Sequence, residues 1–190
     1  MSLRPPFTTP AGQDPWPEIL WTLPLAERPI PSGMAGVWLT DEGVLTHRLA
    51  DRFGARARLE VLWQGEAEGD PVRLALLGVS EGSRLFGRTG LLVVQGRPKV
   101  LTRMGLPRDG WRPEVWAGIV AGDQPIGEWL SSLGLPPHRR SLAIGEAEVP
   151  GIDTPCPGRR HILETGRPGL NIVVEEIFLP GTIPESLELP

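Results

Sequence analysis

Glycine and proline recur between short apolar runs along most of this chain, and that punctuation constrains the fold more than any other feature. With 24 glycines and 22 prolines among 190 residues, the pattern favours many short strands over a helical bundle. The length suits one domain with a single sizeable core.

The strands can be placed from their alternation. Leu59, Val61 and Trp63 alternate with Arg58, Glu60 and Leu62 in RARLEVLWQ. A long hairpin follows: SRLFGRTGLLVV, a turn at Gln95-Gly96, then RPKVLTRMGL. Two more strands are expected at 141–149 and 161–165, and a Gly-Arg-Pro-Gly turn leads to a last one in NIVVEEIFL. Six strands joined sequentially read as an antiparallel sheet.

Helical signals are fewer. Asp14 and Pro15 can cap and open a short helix through WPEILWTL. A longer helical region is expected from Ser32 to Phe53, broken near Asp41-Glu42-Gly43 and stopped by Gly54. In GDQPIGEWLSSLGLPP, Ile126, Trp129, Leu130 and Leu133 share one helical face, with Asp123 as the expected cap. The expectation is therefore an α+β fold: a Pro-rich extension over 1–30 carrying a short helix, one domain over 31–180, and a tail over 181–190.

Composition excludes several classes. A net charge of −4 argues against a nucleic-acid partner, which would demand a basic surface. A single cysteine, Cys156, rules out an intrachain disulfide and points to a reducing compartment; with no base in view it reads as inert. No apolar run approaches the roughly 18 residues of a membrane span, and the start lacks a secretory core, so a cytoplasmic protein with no membrane partner is expected. His47, His138 and His161 are too scattered for a metal site and read as surface or packing residues. Trp111 and Trp116 read as core packing.

Three features could carry chemistry. Residues 84–112 hold six arginines and one lysine against one acid. With a two-residue turn at Gln95-Gly96, regular pairing sets Arg88 opposite Arg103, a like-charge pair that makes sense around an anion; a four-residue turn would set Arg103 opposite Gly90 instead, and a merely solvated basic face would account for the arginines too. The helix start at Pro125-Ile126-Gly127 offers amides for an anion, or amides that Asp123 already caps. Finally, Glu175 and Glu176 stand back to back in an apolar strand, facing opposite sides, and burying either one unpaired costs several kcal/mol. Alternation does not choose between them.

Taken in order, SRLFGRTGLLVVQGRPKVLTRMGLP, GDQPIGEWL, GRR and EEIFLP resemble the chorismate pyruvate-lyase family, over about Trp38 to Pro180. That resemblance implies a six-stranded antiparallel sheet with helical flaps over a buried site. It also implies cleavage of chorismate to 4-hydroxybenzoate and pyruvate, feeding ubiquinone synthesis, without metal or cofactor. Residue by residue it implies that Arg88 binds the ring carboxylate, the Ile126 amide assists, and Glu176 meets the ring hydroxyl. Leu45 takes the place of a pocket methionine, and Arg103 is placed near the enolpyruvyl carboxylate. In its apolar setting Glu176 is expected to have a raised pKa. The small-molecule substrate would be met by a monomer. Two rivals share the resemblance: a non-catalytic aromatic-acid sensor, for which about 30 Pro-rich residues supply no DNA-binding module, and an enzyme giving another hydroxybenzoate such as the 3-isomer.

Overall fold

The structure, a computed structural model, describes residues 19–24, 32–122, 124–167 and 169–185. Its elements run β1 (Ile19–Pro24), α1 (Gly33–Thr40), α2 (Leu45–Phe53), β2 (Arg58–Glu68), α3 (Pro71–Leu77), β3 (Arg84–Val94), β4 (Arg97–Pro107), α4 (Pro113–Ala121), α5 (Ile126–Ser132), β5 (His138–Ala147), β6 (Cys156–Glu164) and β7 (Ile172–Phe178). Strands β2 to β7 supply the expected six-stranded antiparallel sheet of an α+β fold, and β1 adds a seventh along the β5 edge. The strands are not joined in simple sequence, however. Two meanders, β2-β3-β4 and β5-β6-β7, meet because β7 pairs with β4. All seven residues of β7 are buried, which explains its near-continuous apolar run and its central place.

The helix expected in WPEILWTL is corrected. Residues 19–24 form a strand, paired from Ile19↔Ala147 onward, and the expected cap at Asp14 lies outside the described residues. An open sheet edge at β5 outweighs the weak local helical preference. The break between α1 and α2 falls where expected. Helices α3 and α4 were not foreseen. Each opens with proline, and the Asp70 side chain caps α3 by accepting from the Arg73 amide at 2.9 Å. Helix α5 opens on Pro125; Asp123, its expected cap, lies outside the described residues.

The hairpin turn is as expected, with Gln95 and Gly96 at φ 51° and 73° closing a two-residue loop. Its register is not. Val93 pairs with Pro98 but Leu92 pairs with Val100, so Lys99 is an extra, bulged residue. Pro98 has no N–H for the ladder, a usual setting for a bulge. The shift of one sets Arg88 opposite Met104 and Arg103 opposite Thr89, so the expected Arg88–Arg103 pair does not form. A second bulge at Leu62 interrupts the alternation expected for β2.

Two apolar clusters cover the front of the sheet. One packs α1 and α2, through Trp38, Leu45 and Leu49, on Leu92, Val100 and Phe178. The other packs α4 and α5, through Ile119, Ile126 and Leu130, on Phe86, Leu106 and Val174, with Trp111 and Trp116 at its margin. The two helices approach closely: a Cβ on Gly118 would lie 2.0 Å from the Trp129 ring. On the back, α3 covers Leu85, Ile162 and Val173. Packing continues past 180, since Thr182 is buried and its hydroxyl donates to the Lys99 carbonyl at 2.7 Å.

Candidate active site

Two rows of side chains cross the front of the sheet. Arg88 on β3 is followed by Met104, Val174 and His161 on β4, β7 and β6. The next row is Gly90, Thr102, Glu176 and Arg159. Above them lies the gap between the two front clusters, a cavity of about 570 Å³ of atom-free space with its mouth included. Its roof is made by two helix starts, Val44, Leu45 and Thr46 of α2 and Pro125, Ile126 and Gly127 of α5. Neither Val44 nor Pro125 caps its helix with a side chain, so among the described residues the first-turn amides of α2 and α5 keep the partial positive charge of a helix start at the cavity wall.

Four of the five expected site residues line this cavity: Arg88, Glu176, Ile126 and Leu45. Arg103 does not. It shares the opposite face of β4 with its Cα partners Thr89 and Glu175, because the Lys99 bulge moves every later residue of the strand by one place. Arg88 is buried and held in position by donating from Nη1 to the Ile119 carbonyl at 3.1 Å, with Nη2 3.5 Å from Met104 Sδ.

Glu176 differs from expectation in its ionisation. Burial pushes its carboxyl up, but the guanidinium of Arg159, with Arg139 and the Arg159 hydrogen bond, outweighs burial and pulls it down to about 2. Arg159 donates from Nε to Glu176 Oε2 at 2.6 Å and from Nη1 to the carbonyls of Trp38 and Asp41, at 2.8 and 2.7 Å. One guanidinium thus holds the carboxylate and the C-terminal end of α1 together. Glu176 Oε1 accepts no hydrogen bond among the described residues.

Three polar residues entered the site without a role assigned from sequence. His161 is buried at 1% exposure with Nδ1 3.9 Å from Glu176 Oε2, and neither ring nitrogen has a hydrogen-bond partner among the described residues. Burial drives its pKa well below 6.5, so the ring is neutral. Arg139, from β5, lines the same cavity with a buried Nη1 that is equally unpartnered, and burial draws its pKa down as well. Arg159 lay inside the GRR motif. The available signal was spacing: Arg159 and His161 are two apart on one strand, and so share a face.

No family model matches the chain. Curated relatives do. The chain is 32% identical over its whole length to a protein of Aromatoleum aromaticum, 100% of which is covered, named "Probable chorismate pyruvate-lyase". It is 38% identical to a protein of the same name from Azoarcus sp. BH72, over 77% of this chain and 84% of the other. Among solved structures, PhnF from Mycobacterium smegmatis matches with a TM-score of 0.58 at 14% identity, covering 76% of this chain and 67% of that one. The ligand-binding domain of a putative GntR-family transcriptional regulator from Bordetella bronchiseptica matches at 0.55 and 14%, over 70% and 92%. At such identities these two report on the fold alone.

Proposed function

Because the chain belongs to the chorismate pyruvate-lyase family, we propose that it eliminates pyruvate from chorismate to give 4-hydroxybenzoate. The product would supply ubiquinone synthesis, and the enzyme would act in the cytoplasm as a monomer without a cofactor. The observation that carries this reading is that Arg88 and Glu176 lie on one sheet face and open into one cavity between two helix starts.

By the spacing of strands and residues, their Cα atoms stand roughly 12 Å apart, two strands over and two residues along. Arg88 would take the ring carboxylate, with the amides opening α2 and α5 adding donors. Such charge-assisted bonds contribute roughly 1.5–3 kcal/mol each. Glu176, ionised near neutrality, would accept a hydrogen bond from the hydroxyl at the far end of the ring. It orients the substrate and does not deliver a proton. In the reaction the C3–O bond breaks, the C4 proton passes to water and the ring becomes aromatic. The C–O electron pair leaves with enolpyruvate, which takes a proton on its methylene carbon to become pyruvate. Fixed positive groups that stabilise the departing anion, and a ring held in one orientation, are the protein's contribution.

Purified protein mixed with chorismate should release pyruvate and 4-hydroxybenzoate in equal amounts. A different hydroxybenzoate, separated by chromatography, would correct the product. The fold likeness to regulator domains favours one alternative, an aromatic-acid-binding module; tight 4-hydroxybenzoate binding with no pyruvate release would establish it in place of the lyase.

A further inference from the structure

Resting on that reading, and going beyond it, we propose that Arg139 and His161 form the subsite for the second carboxylate of chorismate, the one on its enolpyruvyl arm. The sequence reading had given that carboxylate to Arg103, and Arg103 stands on the other side of the sheet. A doubly negative ligand therefore needs another cationic group on the cavity wall.

Substrate chemistry says where that group must be. Ring carboxylate and hydroxyl lie at opposite ends of the ring, and the enolpyruvyl ether is attached beside the hydroxyl. With the carboxylate on Arg88 and the hydroxyl at Glu176, the arm projects from the Glu176 end. The strand order carries the wall from Arg88 on β3 through β4 and β7 to β6 and β5, which place His161 and Arg139 beyond Glu176. Both residues are within electrostatic reach of Glu176.

Their hydrogen-bonding state supports the assignment. Buried polar groups in folded proteins are nearly always paired. Here the buried Arg139 Nη1 and both His161 nitrogens have no partner among the described residues, and all line the cavity. A guanidinium donor and one imidazole N–H on the same cavity wall suit a carboxylate, which would pair with both. His161 is also 1% exposed, so only a group inside the cavity can reach it.

The test separates this subsite from the ring site by using two ligands. 4-Hydroxybenzoate lacks the enolpyruvyl arm, and chorismate carries it. Arg139→Gln should raise the KM for chorismate about tenfold or more, the effect of one lost charge-assisted hydrogen bond, while the dissociation constant for 4-hydroxybenzoate stays within about twofold. His161→Gln, which keeps an N–H donor, should change the chorismate KM less than His161→Leu does. Arg88→Ala should weaken both ligands, and thermal melts confirm that each variant is folded. An active wild type whose chorismate KM is unchanged in Arg139→Gln, or whose two ligands weaken equally, overturns the subsite and leaves the lyase reading standing. A wild type that releases no pyruvate and binds no chorismate removes the lyase reading and the subsite with it.

Discussion

Glu175 and Glu176 are neighbours in sequence, both buried, yet they sit in opposite kinds of surroundings. Behind the sheet, Glu175 accepts from Arg160 Nε and Nη2 on Oε1, at 2.8 and 2.6 Å, and from Arg73 Nη2 on Oε2. Helix α3 exists where it does to bring Arg73 there, with Asp70 holding the same guanidinium at 3.0 Å. In front, Glu176 has one arginine bond on Oε2 and an oxygen left over beside a cavity. One carboxylate is saturated by protein; the other is held at one side and open at the other. Alternation guarantees two faces, and what packs on each face decides which acid is structural and which can meet a ligand.

The largest expected effect concerns the saturated side. Glu175→Ala takes the shared acid from Arg160 and leaves half-buried Arg73 with Asp70 alone, and should destabilise the fold by about 3 kcal/mol in urea unfolding. Turnover per folded molecule should stay within about twofold; loss of turnover at full stability would reverse the contrast. Next, Glu176→Gln retains an acceptor for Arg159, so it should unfold less readily than Glu175→Ala, while kcat falls about tenfold or more as the ring hydroxyl loses a charge-assisted hydrogen bond. Third, Gly118→Ala pushes Trp129, and with it the roofing helix α5, away from α4 and should cost about 1–3 kcal/mol by overpacking, with a raised KM for chorismate as the front-face signature.

The smallest effect is a pH slope. His161 is neutral when folded but titrates near 6.5 when unfolded, so the folded form binds fewer protons and stability is lost as pH falls below about 6.5, by at most about 1.4 kcal/mol per unit. Glu176 adds a separate loss in the same direction as pH falls from its unfolded value near 4.5 toward about 2. His161→Gln should abolish the first loss and keep the second. Denaturant midpoints across that range check both, and an unchanged slope in the variant would move its origin away from the front face.

Much of the architecture was legible because strands and caps write themselves into alternation, glycine and proline. The six strands, the α1–α2 break and the QG turn follow from such local signals. Helices α3 and α4 carry similar ones, in Asp70-Pro71 and Arg112-Pro113, but their runs are too short to show a helical period. Within the site, Arg88 and Glu176 came from motif order, and the cavity joins them. What local patterns could not supply was register. Whether Arg103 looks forward or back depends on one extra residue near Pro98. The ionisation of Glu176 depends on Arg159, 17 residues away in the chain and adjacent only once β6 and β7 pair.

The bulge at Lys99 has a consequence for how this hairpin can change length. Its carbonyl, pushed out of the ladder, receives both the Leu179 amide at 2.9 Å and the Thr182 hydroxyl. Deleting Lys99 would leave Val93 against Pro98 and Leu92 against Val100, so the inward and outward identities of all later β4 residues would survive. The damage would fall on the C-terminal segment, which would lose its anchor. The hairpin thus behaves as an expansion joint, absorbing one residue without passing the change on to the ligand-facing wall.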